Sequence, residues 1–155
     1  KYLVIHCTAT PEGREVTAAE IRRWHTSPPP AGRGWRHVGY TDLIHLDGTI
    51  ERLAPNNEDD RVDNWEITNG AAGYNSVSRH IVYVGGCDSH MHPKDPRTPA
   101  QCEALKRYVL EFHSRFPQIL IVGHHDLNPA KQCPSFNVGQ WMAGIGIRQT
   151  FNQHL

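Results

Sequence analysis

The sequence predicts an α/β fold, a mixed central β-sheet with helices packed on its faces. Three observations carry that expectation. Short β-branched and aliphatic runs recur at residues 2–6, 78–86 and 119–122. Stretches with apolar residues every three or four positions stand between and after them. An Asp47-Gly48 pair joins two further extended runs into an antiparallel hairpin. Strands alternating with helical patterns call for helices layered on a sheet. A chain of 155 residues is long enough for one domain, 1–155, with a real core.

Residues 2–6, YLVIH, read as a buried strand closed by His6, and CTATPEG as the loop after it. Thr17-Ala-Ala-Glu20 is a capping-box pattern, with Thr17 placed to cap and Glu20 to reach back. Ile21, Trp24 and His25 then form a helical stripe that Pro28, Pro29 and Pro30 must end. AGRGWRH reads as a loop. Residues 38–46 are expected as a strand, Asp47-Gly48 as a tight turn and 49–53 as the antiparallel return. Residues 55–73 are polar, acidic in their first half and glycine-bearing at their end. So long a connection is expected to be a functional loop or to hold a short helix. Trp65 within it reads as a substrate platform or as the anchor of a satellite core.

Residues 78–86, SRHIVYVGG, form another strand, and 87–97 a polar loop whose His90 and His92 belong to a solvated surface. Thr98 as N-cap, Pro99 in the first turn and Gln101 as box partner open the strongest helical pattern in the chain. Along it Cys102, Leu105, Val109, Phe112 and Phe116 recur on one face, and Pro117 ends it. The run 119–122 is a buried strand. GHHDLNPAKQCPSF, residues 123–136, follows as a loop, and Asn137 caps a last helix that runs through Trp141 toward Gly144. No internal repeat or low-complexity segment is present.

Composition removes several classes of function. Lys plus Arg and Asp plus Glu each number 16, and the basic residues are scattered, so a nucleic-acid footprint has no support. No apolar run approaches the roughly 20 residues of a membrane span. No secretory signal pattern stands at the N-terminus, and the chain enters its first strand almost at once, as expected where upstream sequence has been removed. The four cysteines, Cys7, Cys87, Cys102 and Cys133, lack the dense spacing of a disulfide framework. Cys102 reads as a core residue on a helix, and Cys7 and Cys87 as residues on or beside strands.

The stretch 123–136 carries the chemistry. Two histidines stand where a strand ends, and a proline-containing loop leads from them to Cys133, itself followed by Pro134. Imidazole nitrogen and thiolate sulfur are the ligands zinc prefers, and a catalytic zinc takes three protein ligands plus water. His124 and Cys133 supply two. His6, also at the end of a strand, is the expected third, because α/β sites gather where strand ends lie side by side. A Cys-His nucleophile built on Cys133 is the rival chemistry, disfavoured by Pro134 and by the two candidate ligand histidines. Asp59 and Asp60 read as solvated loop charges rather than as a carboxylate pair for glycoside cleavage.

The segments VIHCTAT, EIRRWH, VGYTDLIHLDGTI, GYNSVS with VGG, TPAQ and GHHDLNPAKQCPSF stand in an order that resembles one family. This is the zinc-dependent N-acetylmuramoyl-L-alanine amidases of type 2. The family includes amidase-type phage lysozymes and shares its fold with peptidoglycan recognition proteins. The resemblance spans nearly the whole chain, and its specific part is the His…Tyr…His…Lys-x-Cys-Pro constellation. It implies a bound Zn²⁺ held by His6, His124 and Cys133. It also implies an active-site tyrosine at Tyr40, a catalytic lysine at Lys131 and a cleft asparagine at Asn75. Many members carry a histidine three residues before GYN, where this chain has Gly70, so the cleft is expected to be less crowded there. The spacing from His124 to Cys133 is one residue longer than in similar phage lysozymes, so the loop is expected to bulge.

The resemblance further implies a substrate, peptidoglycan or muropeptides, and hydrolysis of the amide between N-acetylmuramic acid and L-alanine. It implies a monomer acting on the cell wall, whether in the periplasm, outside the cell, or after cytoplasmic synthesis as a phage lysin. Tyr40 and Lys131 are donors suited to charge developing on an amide oxygen, and His125 and Asp126 are candidates for orienting ligands. The other expectation of the same fold is a non-catalytic module that binds peptidoglycan. Such recognition proteins often lack the cysteine, whereas here all three ligands and the tyrosine are present, which favours an enzyme. A third expectation is a partner-binding protein that uses the fold to regulate a polymerase. Residues 55–73 with Asn75 are expected to form one cleft wall and the Lys131 loop the other.

Overall fold

The computed structural model describes residues 1–147, so residues 148–155 of the expected domain lie outside the described part. Its elements are β1 (Tyr2–Cys7), β2 (Thr10–Pro11), α1 (Ala18–Thr26), β3 (Asp42–Ile44), β4 (Ile50–Arg52), β5 (Ser78–Tyr83), β6 (Gly86–Cys87), α2 (Pro99–Arg115), β7 (Leu120–Gly123), α3 (His124–Leu127) and α4 (Val138–Gly144). Single 3₁₀ turns stand at Asn64–Glu66 and Asn75–Val77. The main sheet runs β4-β3-β5-β1-β7. β1 lies parallel to β5 and β7, β3 parallel to β5, and β4 antiparallel on the β3 edge. The chain thus has the mixed α/β fold expected of it.

Helices cover both faces, so the central strands are apolar almost continuously, and their period-two alternation sorts side chains between two cores. Leu3, Ile5 and Cys7 of β1 join Ile81 and Tyr83 of β5 beneath Leu105, Val109 and Phe112 of α2 and Met142 of α4. Each fully buried side chain of this kind stabilises the fold by about 1.5–3 kcal/mol. Leu43 and Val82 face the other way and pack with Val16, Ala18 and Ile21 under α1. The same alternation turns His6 and His80 toward this second face. Their strands are neighbours, with Val4 opposite His80 and His6 opposite Val82.

Local signals place the helices. Thr98 Oγ1 accepts the Gln101 backbone N–H at 3.0 Å, and Gln101 Oε1 accepts that of Thr98 at 3.0 Å, closing the capping box. The amide of Gln101, fully buried, also donates to the Val84 carbonyl at 2.8 Å and so ties the helix start to the sheet. Cys102 is only half-buried at the edge of the α2 stripe, because Gln101 and Ala104 take the core positions beside it. Thr17 caps α1 through the Glu20 N–H at 3.1 Å. The return arm of that box is not made, because the Glu20 carboxylate accepts from Arg14 at 2.8 Å instead.

The hairpin exists but is shorter than expected. Residues 38–41 are not strand, and pairing runs only from Asp42 opposite Arg52 to Ile44 opposite Ile50. Gly48 takes the turn at φ +87°, a conformation open to glycine at little cost. Thr41 still bonds both neighbours, donating to the His80 carbonyl at 2.7 Å and accepting from Leu53 at 2.7 Å, but Val38 accepts from Asn69 at 3.0 Å and Gly39 donates to His25 Nδ1 at 2.8 Å, so the chain leaves the ladder there. The two-residue parallel pair β2 and β6 and the one-turn helix α3 had no sequence signal long enough to be read.

Candidate active site

β7 and β1 are adjacent and parallel, so their carboxyl ends meet. His6 sits near the end of β1, and His124 opens α3 immediately after β7. Cys133 returns to them because the intervening loop is tied at several points. Asp126 accepts the Gly123 N–H at 2.8 Å, His125 donates its N–H to the Cys133 carbonyl at 2.8 Å, and Lys131 donates to the Asn128 carbonyl at 3.0 Å. Tyr83 donates its hydroxyl to the Pro134 carbonyl at 2.6 Å, fixing the far side. The Cys7 N–H then donates to Cys133 Sγ at 3.1 Å.

The outcome is a group of three donor side chains whose ligand atoms lie within 4.8 Å of one another, and it is capable of holding a metal ion. His6 is buried, with its Nδ1 3.6 Å from Cys133 Sγ and its ring 4.7 Å from that of His124. His6 Nε2 points away from this group, to His80 Nδ1 at 2.8 Å. His125 and Asp126 bond each other at 2.9 Å. Neither bonds a ligand ring, and Asp126 acts on the backbone before His124.

Burial governs the electrostatics. It lowers the pKa of His6 well below the usual imidazole range, with the charges of His80 and His124 adding to the effect. It lowers that of His124 too, helped by the Lys131 ammonium. Neutral imidazole is the form that binds a metal. Burial raises the Cys133 thiol well above its ordinary value, and its contact with Cys7 raises it further. A bound cation inverts that preference, because a coordinating thiol is deprotonated outright. Burial likewise raises the Tyr40 hydroxyl, first of all, and the cysteines add to it. Tyr40 therefore stays protonated and is a donor.

These residues open onto a cavity of about 730 Å³, within the size range of small-molecule sites. Tyr40, Lys131 and Asn75 all line it, together with His6, His124 and Cys133. The Tyr40 ring packs against His6 at 5.1 Å and against His25 at 5.2 Å. Its hydroxyl makes no hydrogen bond to another described residue. Asn75 accepts the Ala71 N–H at 2.9 Å through its Oδ1, which keeps its amide nitrogen as a donor.

The long segment 55–73 divides. Asn69, Gly70 and Ala72 line the cavity, whereas Asn56 and Glu58 line a separate one beside Tyr108 and Arg115 on the far side of the sheet edge. Trp65 stands on its 3₁₀ turn at 53% exposure, outside the residues that line the main cavity. A third side of the cavity, which the sequence reading took for plain loop and helix stripe, is built from Trp24, His25, Arg33 and Trp35. Arg33 lies over the Trp35 ring at 5.2 Å, and His25 accepts the Gly39 N–H at 2.8 Å. A tryptophan and two arginines in a glycine loop were the available signal. The expectation that Gly70 leaves its wall less crowded is overturned. A Cβ there would lie 2.5 Å from His80 Nδ1 and 2.7 Å from the Gly39 carbonyl, so the space is already filled.

Comparison with known proteins agrees with this geometry. The family model described as N-acetylmuramoyl-L-alanine amidase matches residues 1–136. The endolysin of Enterobacteria phage K11 is 36% identical over 138 residues, covering 89% of this chain and 82% of the relative. The endolysin of Escherichia phage T7 is 32% identical, covering 90% and 83%. Among solved structures, the Ph2119 endolysin from Thermus scotoductus MAT2119 bacteriophage Ph2119 superposes with a TM-score of 0.70 at 27% identity, over 94% of this chain and 84% of that one. Bumblebee PGRP-SA shares the fold, with a TM-score of 0.66 at 20% identity over 92% and 79%. The chain belongs to the N-acetylmuramoyl-L-alanine amidase family and is an enzyme that hydrolyses an amide bond of peptidoglycan.

Proposed function

We propose that this enzyme is zinc-dependent and cleaves the amide between N-acetylmuramic acid and L-alanine, in peptidoglycan or in muropeptides. The observation that carries the reading is the meeting of His6, His124 and Cys133 at the floor of one cavity. Zinc bonds of about 2.0–2.3 Å set tetrahedral donors roughly 3.4–3.8 Å apart. The 3.6 Å between His6 Nδ1 and Cys133 Sγ fits that spacing, and two neutral nitrogens plus one sulfur fit the ion's preference. When bound, zinc lowers the pKa of a water to about 7 and polarises a carbonyl.

The chain's own side chains do the rest. Tyr40 donates from its hydroxyl to the oxygen on which charge develops, a task for which a partly buried, protonated donor without a partner among the described residues is prepared. Lys131, on the rim of the same floor, adds a cation toward that oxygen or toward the departing amine. Asn75 offers an amide N–H to the peptide.

Metal content tests the reading. The protein purified without chelator is expected to carry one zinc per chain. Stripping it is expected to abolish release of the stem peptide from a defined muropeptide, followed by mass, and adding zinc back to restore it. No zinc after purification and none taken up on addition would rule the assignment out.

The substrate wall has its own test. Asn75→Ala removes about one hydrogen bond to the peptide, so KM on a muropeptide with an intact stem should rise about three- to tenfold. Trp65 lies beyond the cavity, where only a longer substrate reaches, so Trp65→Ala should raise KM on intact cell wall more than on a short muropeptide. Unchanged kinetics for Asn75→Ala on the muropeptide, or for Trp65→Ala on cell wall, removes that residue from the binding surface.

A further inference from the structure

His80 is the residue that the chemistry so far leaves unexplained. It sits in the middle of β5, a strand otherwise built for burial, and is 0% exposed. Its Nε2 is buried with no hydrogen-bond partner, and leaving a buried polar atom unpaired is unfavourable. An aliphatic residue would pack at that position without such a cost. The single hydrogen bond of the His80 ring goes to His6, Nδ1 to Nε2, at 2.8 Å.

We infer that His80 is a positioning residue for the metal ligand His6, and that Gly70 is the space its ring requires. His6 Nδ1 is the nitrogen that faces Cys133, and Nε2 is the one that faces His80. A ligand nitrogen must present a lone pair, so the His6 proton belongs on Nε2, where it is donated to His80 Nδ1. His80 then carries its own proton on the unpartnered Nε2. A ligand histidine is commonly held in one tautomer and orientation by a carboxylate, a carbonyl or a water. Here a second imidazole takes that part.

Gly70 fits the same account. A Cβ on residue 70 would lie 2.5 Å from His80 Nδ1 and 2.6 Å from its Cγ. A side chain at position 70 and the imidazole of His80 therefore compete for one space. Gly70 thus leaves room for a ring that comes from β5.

The inference rests on the zinc reading above, and the experiment separates the two. Zinc affinity of the full chain is measured by competition with a chromophoric chelator for the natural sequence, His80→Ala and His80→Asn. The Asn side chain sets an amide oxygen where Nδ1 stood and keeps an acceptor for His6. His80→Ala is expected to weaken zinc binding about 10–100-fold, and His80→Asn to stay within about threefold of the natural chain. Equal affinity for His80→Ala, or a loss in His80→Asn as large as in His80→Ala, overturns the inference while the zinc reading stands. Failure of the natural chain to bind zinc sinks the zinc reading instead. Ring-nitrogen NMR on the metal-free natural chain decides the point even if a variant does not fold or no zinc binds. His6 is expected as the Nε2–H tautomer with His80 accepting at Nδ1, and finding His6 as the Nδ1–H tautomer overturns it.

Discussion

Cys133→Ser is expected to lower the rate of muropeptide hydrolysis about 10²-fold or more, with the fold kept. The size follows from what is removed. A metal ion contributes several kcal/mol of stabilisation to developing charge, and each 1.4 kcal/mol is a factor of ten in rate. A serine hydroxyl does not ionise readily and is a poor replacement for thiolate at a site with two imidazoles. The fold should survive, because Cys133 is only partly buried against the α2-side core and its hydrogen bond from the Cys7 N–H can pass to a hydroxyl. Loss of that bond altogether would cost about 1 kcal/mol. Rate, zinc content and thermal unfolding of the metal-free protein are measured together. A Cys133→Ser protein that hydrolyses at the natural rate with full zinc content shows that the thiolate is not a ligand. A protein that has lost its fold when metal-free shows that the cysteine is structural.

Tyr40→Phe is expected to reduce kcat about 10²–10³-fold with little change in KM. The ring stays where it is, wedged between His6 and His25. The hydroxyl has no partner among the described residues, so removing it breaks no internal bond. What is lost is a donor on a residue that lines the cavity with the candidate metal ligands, and a donor of this kind acts mainly as charge develops on the substrate oxygen. An unchanged kcat with a raised KM would make the hydroxyl a substrate-positioning group instead. Burial holds the Tyr40 pKa above its usual value. The rate should therefore show no alkaline limb from tyrosine ionisation in the neutral range.

The parts of this site differ in how legible they were. His124 and Cys133 could be read because they stand in one short segment after an apolar run, and their side-chain chemistry is particular to few tasks. Tyr40, Lys131 and Asn75 were reachable only through the resemblance, since one tyrosine, one lysine and one asparagine have many ordinary uses. All three line the cavity. Trp65 was chosen for its aromatic ring in a polar loop, and that loop turns out to carry the ring away from the cavity. Trp35, between Gly34 and Arg36, is also an aromatic in a loop of polar and glycine residues, yet it lines the cavity, where the Trp35 N–H donates to the His25 carbonyl near the end of α1 at 2.8 Å.

Residue order alone determined the strand runs, the caps of α1, α2 and α4, the turn at Gly48 and the kind of donors available to a metal. Each of those signals acts within one helical turn or between neighbouring residues, so it is complete in a short window of sequence. Tertiary structure decided which donors meet and which nitrogen each one presents. His6 reaches His124 only because β1 is inserted between β5 and β7, a pairing between segments more than seventy residues apart in the chain. The same order puts His80 beside His6, which makes a histidine in an apolar strand a partner rather than a misfit. Gly70 gave no hint of this, because a missing side chain has meaning only once the group that fills its place is known.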